Sequence, residues 1–538
     1  MAYLHGVETQ HVGDVPKNVS EVKTAVVGII GVPSYGFKET IDANGIVVLT
    51  KQGDIEKKFG VVSESGKLPD YLDKMYAQFE ANLPIVLVKS VGVTTVAAAS
   101  KSPDSGSGVI DLGHTNVSSV VVKSEDKSVT YTVSTDYTVD TSTGKITILR
   151  TVPENYFVSF EYGSDDEGEG VFTPAPATIT LGQTKIGAVV VKDSTETTTY
   201  AEGEDYTVDY STGVVTLLKD ITTAKKVAYQ YSAATATAAD IAGNGSATPK
   251  TGIAGFYDAQ TLTGYVPKIL VAPGFSGEKL VADALAVAAN RLKARAFVDA
   301  DTSTINTVDL AILARKDSAK SFGIHEKRVN LCFPALKIGS QTYPMSVAAA
   351  GVRARVDLDP SKGYHWSISS QKINGFDGLD IAVEYSINNP SADSQRLNAA
   401  GILTVKNASG LKFCGNLNSS FDENNAGSTD HEIFECTATV GDVIEESIEY
   451  YTEQRIDQPL TNPWIDGVVG DVNAFLRTLT SRGAIAGGEC WYEPADNDPL
   501  DLKAGHIKFR YDDAATPPAD RITYQRSYNV EYLRNLGQ

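Results

Sequence analysis

The chain has 538 residues, of which 42% are apolar and 21% charged, and its formal net charge is −20 at pH 7. This size fits three or more domains, each able to bury a core. The negative charge argues against nucleic acid or an anionic membrane as the main partner, because both are bound through basic surfaces. No apolar run approaches the roughly 18 residues of a membrane helix, and residues 1–20 lack the apolar centre of a signal peptide. We therefore expect a protein that is assembled in the cytoplasm, without membrane insertion.

Residues 21–100 and 251–343 predict the two parts of one α/β domain. Short apolar runs, typical of buried strands, alternate there with helical patterns, which indicates helices packed on a sheet. One predicted helix covers residues 69–81, and Ser276 is expected to cap a second. The predicted strands are residues 24–30, 85–88, 268–272, 296–298 and 329–333.

Between these two parts lies an internal duplication. Residues 110–162 align without gaps on residues 179–231, an offset of 69, and about two-fifths of the aligned positions are identical. Both copies alternate, are rich in Val, Thr and Tyr, and turn on Ser-Thr-Gly, which is typical of a small β sandwich. We expect inserted domains at residues 101–170 and 171–250, bracketed by flexible linkers that include residues 163–177.

Past Pro344 the pattern changes to α+β, and we expect a separate domain at residues 344–515. Residues 443–456 and 471–481 have the spacing of amphipathic helices. The fold class predicted for the whole chain is therefore an α/β and α+β core that carries a tandem pair of all-β, sandwich-like domains.

The last stretch, residues 516–538, contains a predicted strand with no following chain to form a hairpin. Pro517 and Pro518 separate it from another predicted strand that begins near residue 505. An unmatched strand must join a sheet edge in its own subunit or in a neighbour. In either case the contacts would be made through the alternating apolar face: Ile522, Tyr524, Tyr528, Val530 and Tyr532.

No catalytic residue, cofactor site or metal site is predicted. His431 and Glu432 resemble the start of a zinc-protease motif that lacks its second His. The turn at residues 28–31 lacks the third glycine of a dinucleotide site, and residues 274–279 lack the spacing of a phosphate loop. The four Cys residues are far apart without a CxxC pair, so we expect four buried thiols.

Short segments along most of the chain, apart from the duplicated middle, have an order and spacing that occur together in one family. They are residues 5–7, 24–28, 344–355, 363–367, 373–375, 397–402, 413–416 and 502–533. With these segments the chain resembles contractile tail sheath proteins, the family found in contractile-tailed phages, R-type pyocins and related injection machines.

The resemblance implies a sheath core with extra domains that project outward, in a polymer of stacked hexameric rings around an inner tail tube. The function of that polymer would be contraction, and the protein would be located in the virion tail. Baseplate and tail terminator proteins would be its further partners. The resemblance also implies that main-chain arms connect the subunits. We expect an N-terminal arm at residues 1–20, with Tyr3 and Val7 as contacts, and a C-terminal arm at residues 516–538.

Two basic residues near the end of the predicted helix at residues 471–481 have two interpretations. Arg477 and Arg482 can interact favourably with the helix dipole, which is the interpretation that we prefer. Alternatively they contact the inner tube, since the resemblance implies that a helix of the C-terminal domain does so by charge complementarity.

Two other classes of protein stay open at this point. A cell-surface or virion adhesin is favoured by the β repeats, whereas the α/β part and the missing signal peptide argue against it. An α/β enzyme with appended β domains is the other class, although no nucleophile and base can be paired from the sequence.

Overall fold

The computed structural model describes residues 19–42, 45–102, 108–149, 155–162, 166–172, 176–218, 223–232, 236–317, 322–421 and 431–536. Its helices are α1 (Ile55–Phe59), α2 (Leu68–Tyr76), α3 (Ala238–Ala242), α4 (Ala259–Thr263), α5 (Lys279–Leu292), α6 (Val308–Lys316), α7 (Met345–Leu358), α8 (Asp393–Ala399), α9 (Glu435–Glu453), α10 (Asn462–Arg482) and α11 (Pro499–Lys503).

The strands divide among one large sheet and several small ones. In chain order they are β1 (Val26–Gly31), β2 (Val47–Leu49), β3 (Ile85–Ser90), β4 (Val93–Lys101), β5 (Val109–Asp111), β6 (Val117–Ser124), β7 (Tyr137–Asp140), β8 (Lys145–Ile148), β9 (Tyr156–Tyr162), β10 (Asp166–Phe172), β11 (Ala177–Thr180), β12 (Ile186–Asp193), β13 (Tyr206–Asp209), β14 (Val214–Leu217), β15 (Lys225–Ser232), β16 (Ile269–Val271), β17 (Arg295–Asp299), β18 (Val329–Cys332), β19 (Leu336–Ile338), β20 (Gln341–Tyr343), β21 (Gly378–Leu379), β22 (Ile402–Asn407), β23 (Leu411–Cys414), β24 (Ile485–Tyr492) and β25 (Phe509–Ala515).

The large sheet has eight strands in the order β2-β3-β1-β16-β17-β18-β22-β23, and we call it and its helices the sheet unit. Its six central strands are parallel, and the edge strands β2 and β23 pair antiparallel. Helices α5, α6 and α8 cover one face, and α1, α2 and α7 cover the other. Because the central strands are buried on both faces, they are continuous apolar runs in the sequence, and this explains why they could be predicted.

The sheet unit continues past the domain boundary that we predicted at Pro344, so that boundary is wrong. Helix α7 begins at Met345 and packs beneath β1, β16 and β17, and strands β22 and β23 extend the same sheet. The physical reason is that the helix supplies an apolar face to a sheet that its own strands leave uncovered.

Each copy of the duplication forms two three-stranded sheets around one apolar core. The strands recur 69 residues apart, as in β7 and β13, or β8 and β14. We call residues 108–172 module 1, and β4 together with residues 176–232 module 2.

Each module contains one strand that lies outside the aligned copies, residues 110–162 and 179–231. Strand β10, in the stretch predicted as a flexible linker, pairs with β9, and β4 pairs with β15 of module 2 across the whole of module 1. Module 1 is therefore inserted inside module 2. The predicted boundary after residue 100 cuts β4, because a partner strand distant in sequence decides where this alanine-rich segment belongs.

Helices α9 and α10 pack with the antiparallel pair β24 and β25 around a third apolar core, and we call residues 435–515 the helical unit. Helix α9 begins eight residues before the start that we predicted, and α10 begins nine residues before its own. Thr461 caps α10 by accepting a hydrogen bond from the backbone of Trp464.

The cap predicted for α5 is also wrong. Ser276 is fully buried, and its hydroxyl donates to the carboxylate of Asp299 at 2.9 Å instead of capping the helix. Asp299 also accepts from the backbone nitrogen of Ser346 at 2.7 Å, so this carboxylate connects the end of β17 with the first turn of α7.

Candidate intersubunit surface

The chain after β25, which we call the tail, is described at residues 516–536, and its side chains are exposed from residue 519 to residue 534. It does not form the strand that we expected: residues 516–529 are irregular, and residues 530–535 form a short 3-10 helix. In the isolated chain no described strand lies beside this segment. A strand without a partner strand would leave its backbone hydrogen bonds unmade. The five apolar residues predicted as contacts are 60% to 90% exposed: Ile522, Tyr524, Tyr528, Val530 and Tyr532.

The tail leaves the body of the protein soon after β25 ends. The backbone nitrogen of Thr516 donates to Ala484 at 3.0 Å, and Asn416 donates its side-chain amide to Asp520 at 2.9 Å. Beyond Asp520, the described hydrogen bonds and ion pairs of the tail lie within the tail itself, as between Arg534 and Glu531. The tail therefore carries a row of large apolar side chains without a described apolar surface to cover them.

An unpaired strand edge lies at the point where the tail begins. Strands β24 and β25 pair only with each other among the described residues, so each leaves one edge without a strand neighbour. Strand β25 is largely exposed, and its Asp512 and Asp513 lie opposite Glu489 and Gly488 of β24. Burial raises the pKa of Asp513, and the like charge of Asp512 also contributes. This edge can accept a further strand by backbone hydrogen bonds.

At the other end of the chain, the described segment begins at residue 19 and is fixed to the helical unit. Val19 and Val22 pack against its apolar core, and the backbone nitrogen of Val22 donates to Ser447 at 3.3 Å. Glu21 accepts hydrogen bonds from Tyr364 at 3.0 Å and from Arg482 at 2.6 Å. Tyr3 and Val7, the contacts predicted in the N-terminal arm, lie outside the described residues.

The two arginines predicted as tube contacts have different surroundings. Arg482 is in the last turn of α10 and forms an ion pair with Glu21, so part of its charge is already used within the chain. Arg477 is exposed on the same helix and forms no described ion pair. It lies five residues before the end of α10, outside the last turn where the helix dipole acts most strongly.

The described residues contain no group of three or more His, Cys, Asp and Glu side chains that could hold a metal ion. The four cysteines, Cys332, Cys414, Cys436 and Cys490, are buried and unpaired. Burial raises the pKa of Cys436 to about 12, which keeps this thiol protonated and unreactive. Within the same residues, no helix has the length and apolar character needed to cross a membrane.

The sequence did not reveal where a donated strand would dock, or that Glu21 fixes the base of the N-terminal segment. The apolar and polar residues of β24 do not alternate strictly, because Gly487 and Gly488 interrupt the pattern. Glu21 is one acidic residue among many in the sequence, and nothing in its spacing indicates a partner 461 residues away.

Comparison with known proteins gives a full-length relative. The tail sheath protein of Burkholderia phage BcepMu is 32% identical over 553 aligned residues, which cover 99% of this chain and 98% of that protein. The tail sheath protein of Escherichia phage P2 is 28% identical over 291 residues, which cover 53% of this chain and 69% of that protein. A family described as "Protein of unknown function UCP028589" matches residues 87–177 and again residues 165–244, the region of the two modules.

Solved structures share the fold at low sequence identity. The helical sheath of the anti-feeding prophage in its contracted state has a TM-score of 0.50 at 12% identity, with 98% of this chain and 100% of that chain covered. A chain in the baseplate structure of the same particle has a TM-score of 0.51 at 11% identity, with the same coverage. Together with the full-length relative, this confirms the family that the sequence resembles: the chain belongs to the contractile tail sheath proteins.

Proposed function

We propose that this chain is the subunit of a contractile sheath that polymerises as stacked hexameric rings around an inner tail tube. Contraction of the sheath would drive the tube through a target envelope. Family membership supports the polymer. The structural observation that carries the proposal is the exposed aromatic tail, which begins beside an unpaired strand edge.

The tail and the edge are complementary in chemistry. The tail offers unmade backbone hydrogen bonds and an alternating row of tyrosines, and β25 offers a ladder with one free side. In a given register, either Arg521 or Arg526 of the tail would lie near Asp512 and Asp513 of a neighbour, and this attraction between opposite charges would favour that register of the added strand. Each subunit would thus complete the small sheet of an adjoining copy, with Pro517 and Pro518 as the hinge.

Truncation of the tail tests this proposal. We expect deletion of residues 521–538 to abolish tube formation, seen by negative-stain electron microscopy, while circular dichroism and thermal unfolding stay close to those of the full chain. The body remains folded because the described tail beyond Asp520 makes its hydrogen bonds and ion pairs within itself. Tubes of normal length from the truncated chain would contradict the arm hypothesis.

Two sets of substitutions separate side-chain packing from the mere presence of a tail. Replacing Tyr524, Tyr528 and Tyr532 with Ser should prevent assembly, because each buried aromatic side chain contributes about 1.5–3 kcal/mol at an interface. The matched control replaces Thr523, Gln525 and Ser527, which lie on the opposite face of the alternating pattern, with Ala. This control should still assemble.

The remaining partners follow from the proposed role. The inner tube would contact the exposed Arg477 of α10, with Arg482 less available because of its ion pair with Glu21. Baseplate and tail terminator proteins would bind the two ends of the polymer, which would be assembled in the host cytoplasm as part of a virion tail. The two modules would be inserted, sandwich-like all-β domains on the outside of the sheath.

The adhesin alternative is not favoured. It depended on the β repeats, and the full-length relative is a tail sheath protein that spans the same region of this chain. We also propose that the chain has no enzymatic role, because its relatives are named as tail sheath proteins.

A further inference from the structure

The junction between the sheet unit and the helical unit is charged, whereas each unit has an apolar core of its own. The apolar clusters of the sheet unit consist of residues between Val26 and Phe413. The cluster of the helical unit consists of residues between 440 and 515, joined by Tyr364, Val19 and Val22. Between these cores lies a buried row of ionic side chains.

On the side of the sheet, three neighbouring strands start with a basic residue. Lys268 directly precedes β16, Arg295 is the first residue of β17, and Arg328 directly precedes β18. Their side chains are only 7%, 3% and 13% exposed, respectively. Because the strands are parallel neighbours, these three side chains lie side by side along the amino edge of the sheet.

On the side of the helical unit, α9 presents three buried carboxylates on one face. Glu435, Asp442 and Glu446 are spaced at i, i+7 and i+11, which places them along one side of a helix. A different side of α9, with Val443 and Ile444, belongs to the apolar core that it shares with α10. Helix α9 therefore lies across the strand ends, with its acidic face toward the sheet.

Ion pairs join the two rows, with Asp442 shared between two arginines, and we call these six residues the ionic row. Glu446 lies 2.6 Å from the ammonium of Lys268. Asp442 accepts from both Nε, at 2.9 Å, and Nη2 of Arg328, and lies 3.4 Å from Nη2 of Arg295. Glu435 Oε1 lies 3.8 Å from Nε of Arg295.

One further pair extends the row into α7. Arg353 forms ion pairs with Asp357 at 2.6 Å and with Glu435 at 3.1 Å. With this pair, four basic side chains face four carboxylates, so the buried charges balance. The balance matters because an unpaired charge would be strongly destabilising in this position.

A buried ion cluster is a poor device for stability but a good one for fixing geometry. The cost of removing water from both charges often equals or exceeds their attraction, so an apolar contact of the same size would stabilise the junction at least as well. Oε1 of Glu435 even accepts no hydrogen bond among the described residues. Ion pairs, however, hold only in one register, whereas an apolar contact tolerates sliding.

We propose that the ionic row is a clamp that couples the sheet unit to the helical unit, so that the two rotate together when the sheath contracts. The clamp itself follows from the contacts, and its mechanical purpose rests on the proposed function. It leaves the exposed tail free to move and holds the junction between the two units rigid. A force applied to α10 would then move the helical unit and the sheet unit together, and the modules would move with the sheet unit.

The test measures the distance between the two units in the unassembled full-length chain. Spin labels at Asn306→Cys, in the sheet unit, and Ser481→Cys, in the helical unit, occupy exposed positions, and the native cysteines are buried. Electron–electron double resonance then gives the distribution of distances between the labels. We expect a narrow distribution for the parent and a broad one for Asp442→Asn and for Glu446→Gln, which keep shape and remove one charge.

The matched control is Glu449→Gln on the same helix, because this residue forms an exposed ion pair with Lys293. It should leave the distribution narrow. Hydrogen exchange provides a second readout: amides of α9 should exchange roughly a hundredfold faster or more in the two clamp variants, while those of modules 1 and 2 are unchanged.

Distance distributions of equal width in the parent and all variants would overturn the clamp. Faster hydrogen exchange in the modules as well as in α9 would also overturn it, because the substitutions would then unfold the whole chain. If Asp442→Asn unfolds the helical unit, Glu446→Gln at the end of the row decides, because it leaves the Arg328 pair intact. Failure of the proposed function would look different: the parent chain would form no tubes, whatever its distance distribution.

Discussion

At the scale of single residues, Asp442 has the environment that most clearly controls its charge. Burial alone would raise the pKa of this carboxyl, but the hydrogen bonds from Arg328 and the positive charges of Arg295, Arg328 and Lys327 outweigh it and lower the pKa. The folded-state pKa is therefore below the unfolded value of about 3.9. The ion pairs of Asp442 stabilise the fold fully above that value, and their contribution is lost as the pH falls through the lower folded pKa.

The lowered pKa of Asp442 predicts how the stability of the helical unit depends on pH. Asp442→Asn should destabilise the helical unit by roughly 3–5 kcal/mol near neutral pH, because Arg295 and Arg328 lose a buried ionic partner. It should also weaken the loss of stability that the parent protein undergoes below about pH 4. Urea unfolding at a series of pH values, followed by the fluorescence of Trp464 and Trp491, measures both effects. If the free energy of unfolding falls equally steeply below about pH 4 in the parent and in the variant, Asp442 does not cause the loss of stability in acid.

At the scale of elements, the sequence predicted what apolar runs encode and missed what distant partners decide. Strands β1, β3 and β16 to β18 were predicted because buried parallel strands are continuous apolar runs. Strand β10 was missed because Asp, Glu and Gly have low strand propensity and only its pairing with β9 makes it a strand.

The start of α9 and the tail illustrate the same limit. The start of α9 was missed because Glu435 and Asp442 interrupt the apolar pattern, and these residues face buried cations that lie far away in the sequence. In the tail, the alternation was visible, but a strand needs a neighbour that one chain does not supply. The contacts of the tail therefore stay a prediction, and nothing in the sequence indicated the strand edge on which they would dock.

Nested insertion leads to a prediction about deletions. Replacing residues 103–172 with a short Gly-Ser linker should leave module 2 folded, because β4 remains attached and can still pair with β15. Deleting residues 176–232 instead should give an aggregating protein, since β4 then exposes both edges. Soluble expression and size-exclusion chromatography compare the two. Equal solubility would contradict the assignment of β4 to module 2.

At the scale of the whole molecule, the modules join the sheet unit through a narrow neck. Val93 and Ser232 are direct partners in the ladder between β4 and β15. Module 2 also packs on the sheet unit through Phe37, Ile41 and Ala188, and through an ion pair between Lys185 and Glu64. Module 1 contributes no residue to these contacts.

Excision at the neck tests whether the modules take part in assembly. Removing residues 93–232 brings together two chain ends that already face each other, so the sheet unit should stay folded. We expect this shortened chain to form tubes in electron micrographs. A chain cut after residue 100 would keep most of β4 without its partner and serves as the comparison that should aggregate. Folded but unassembled protein from the cut at residue 93 would mean that the modules carry lattice contacts.

The neck has one more consequence. The inserted chain enters at Val93 and leaves at Ser232, which are direct partners, so an insert whose two ends lie together can be attached there, provided that its surface covers Phe37 and Ile41 as module 2 does. In the proposed sheath, subunits with different inserts would then copolymerise in one particle, and a foreign binding domain attached at this point would be repeated on every subunit.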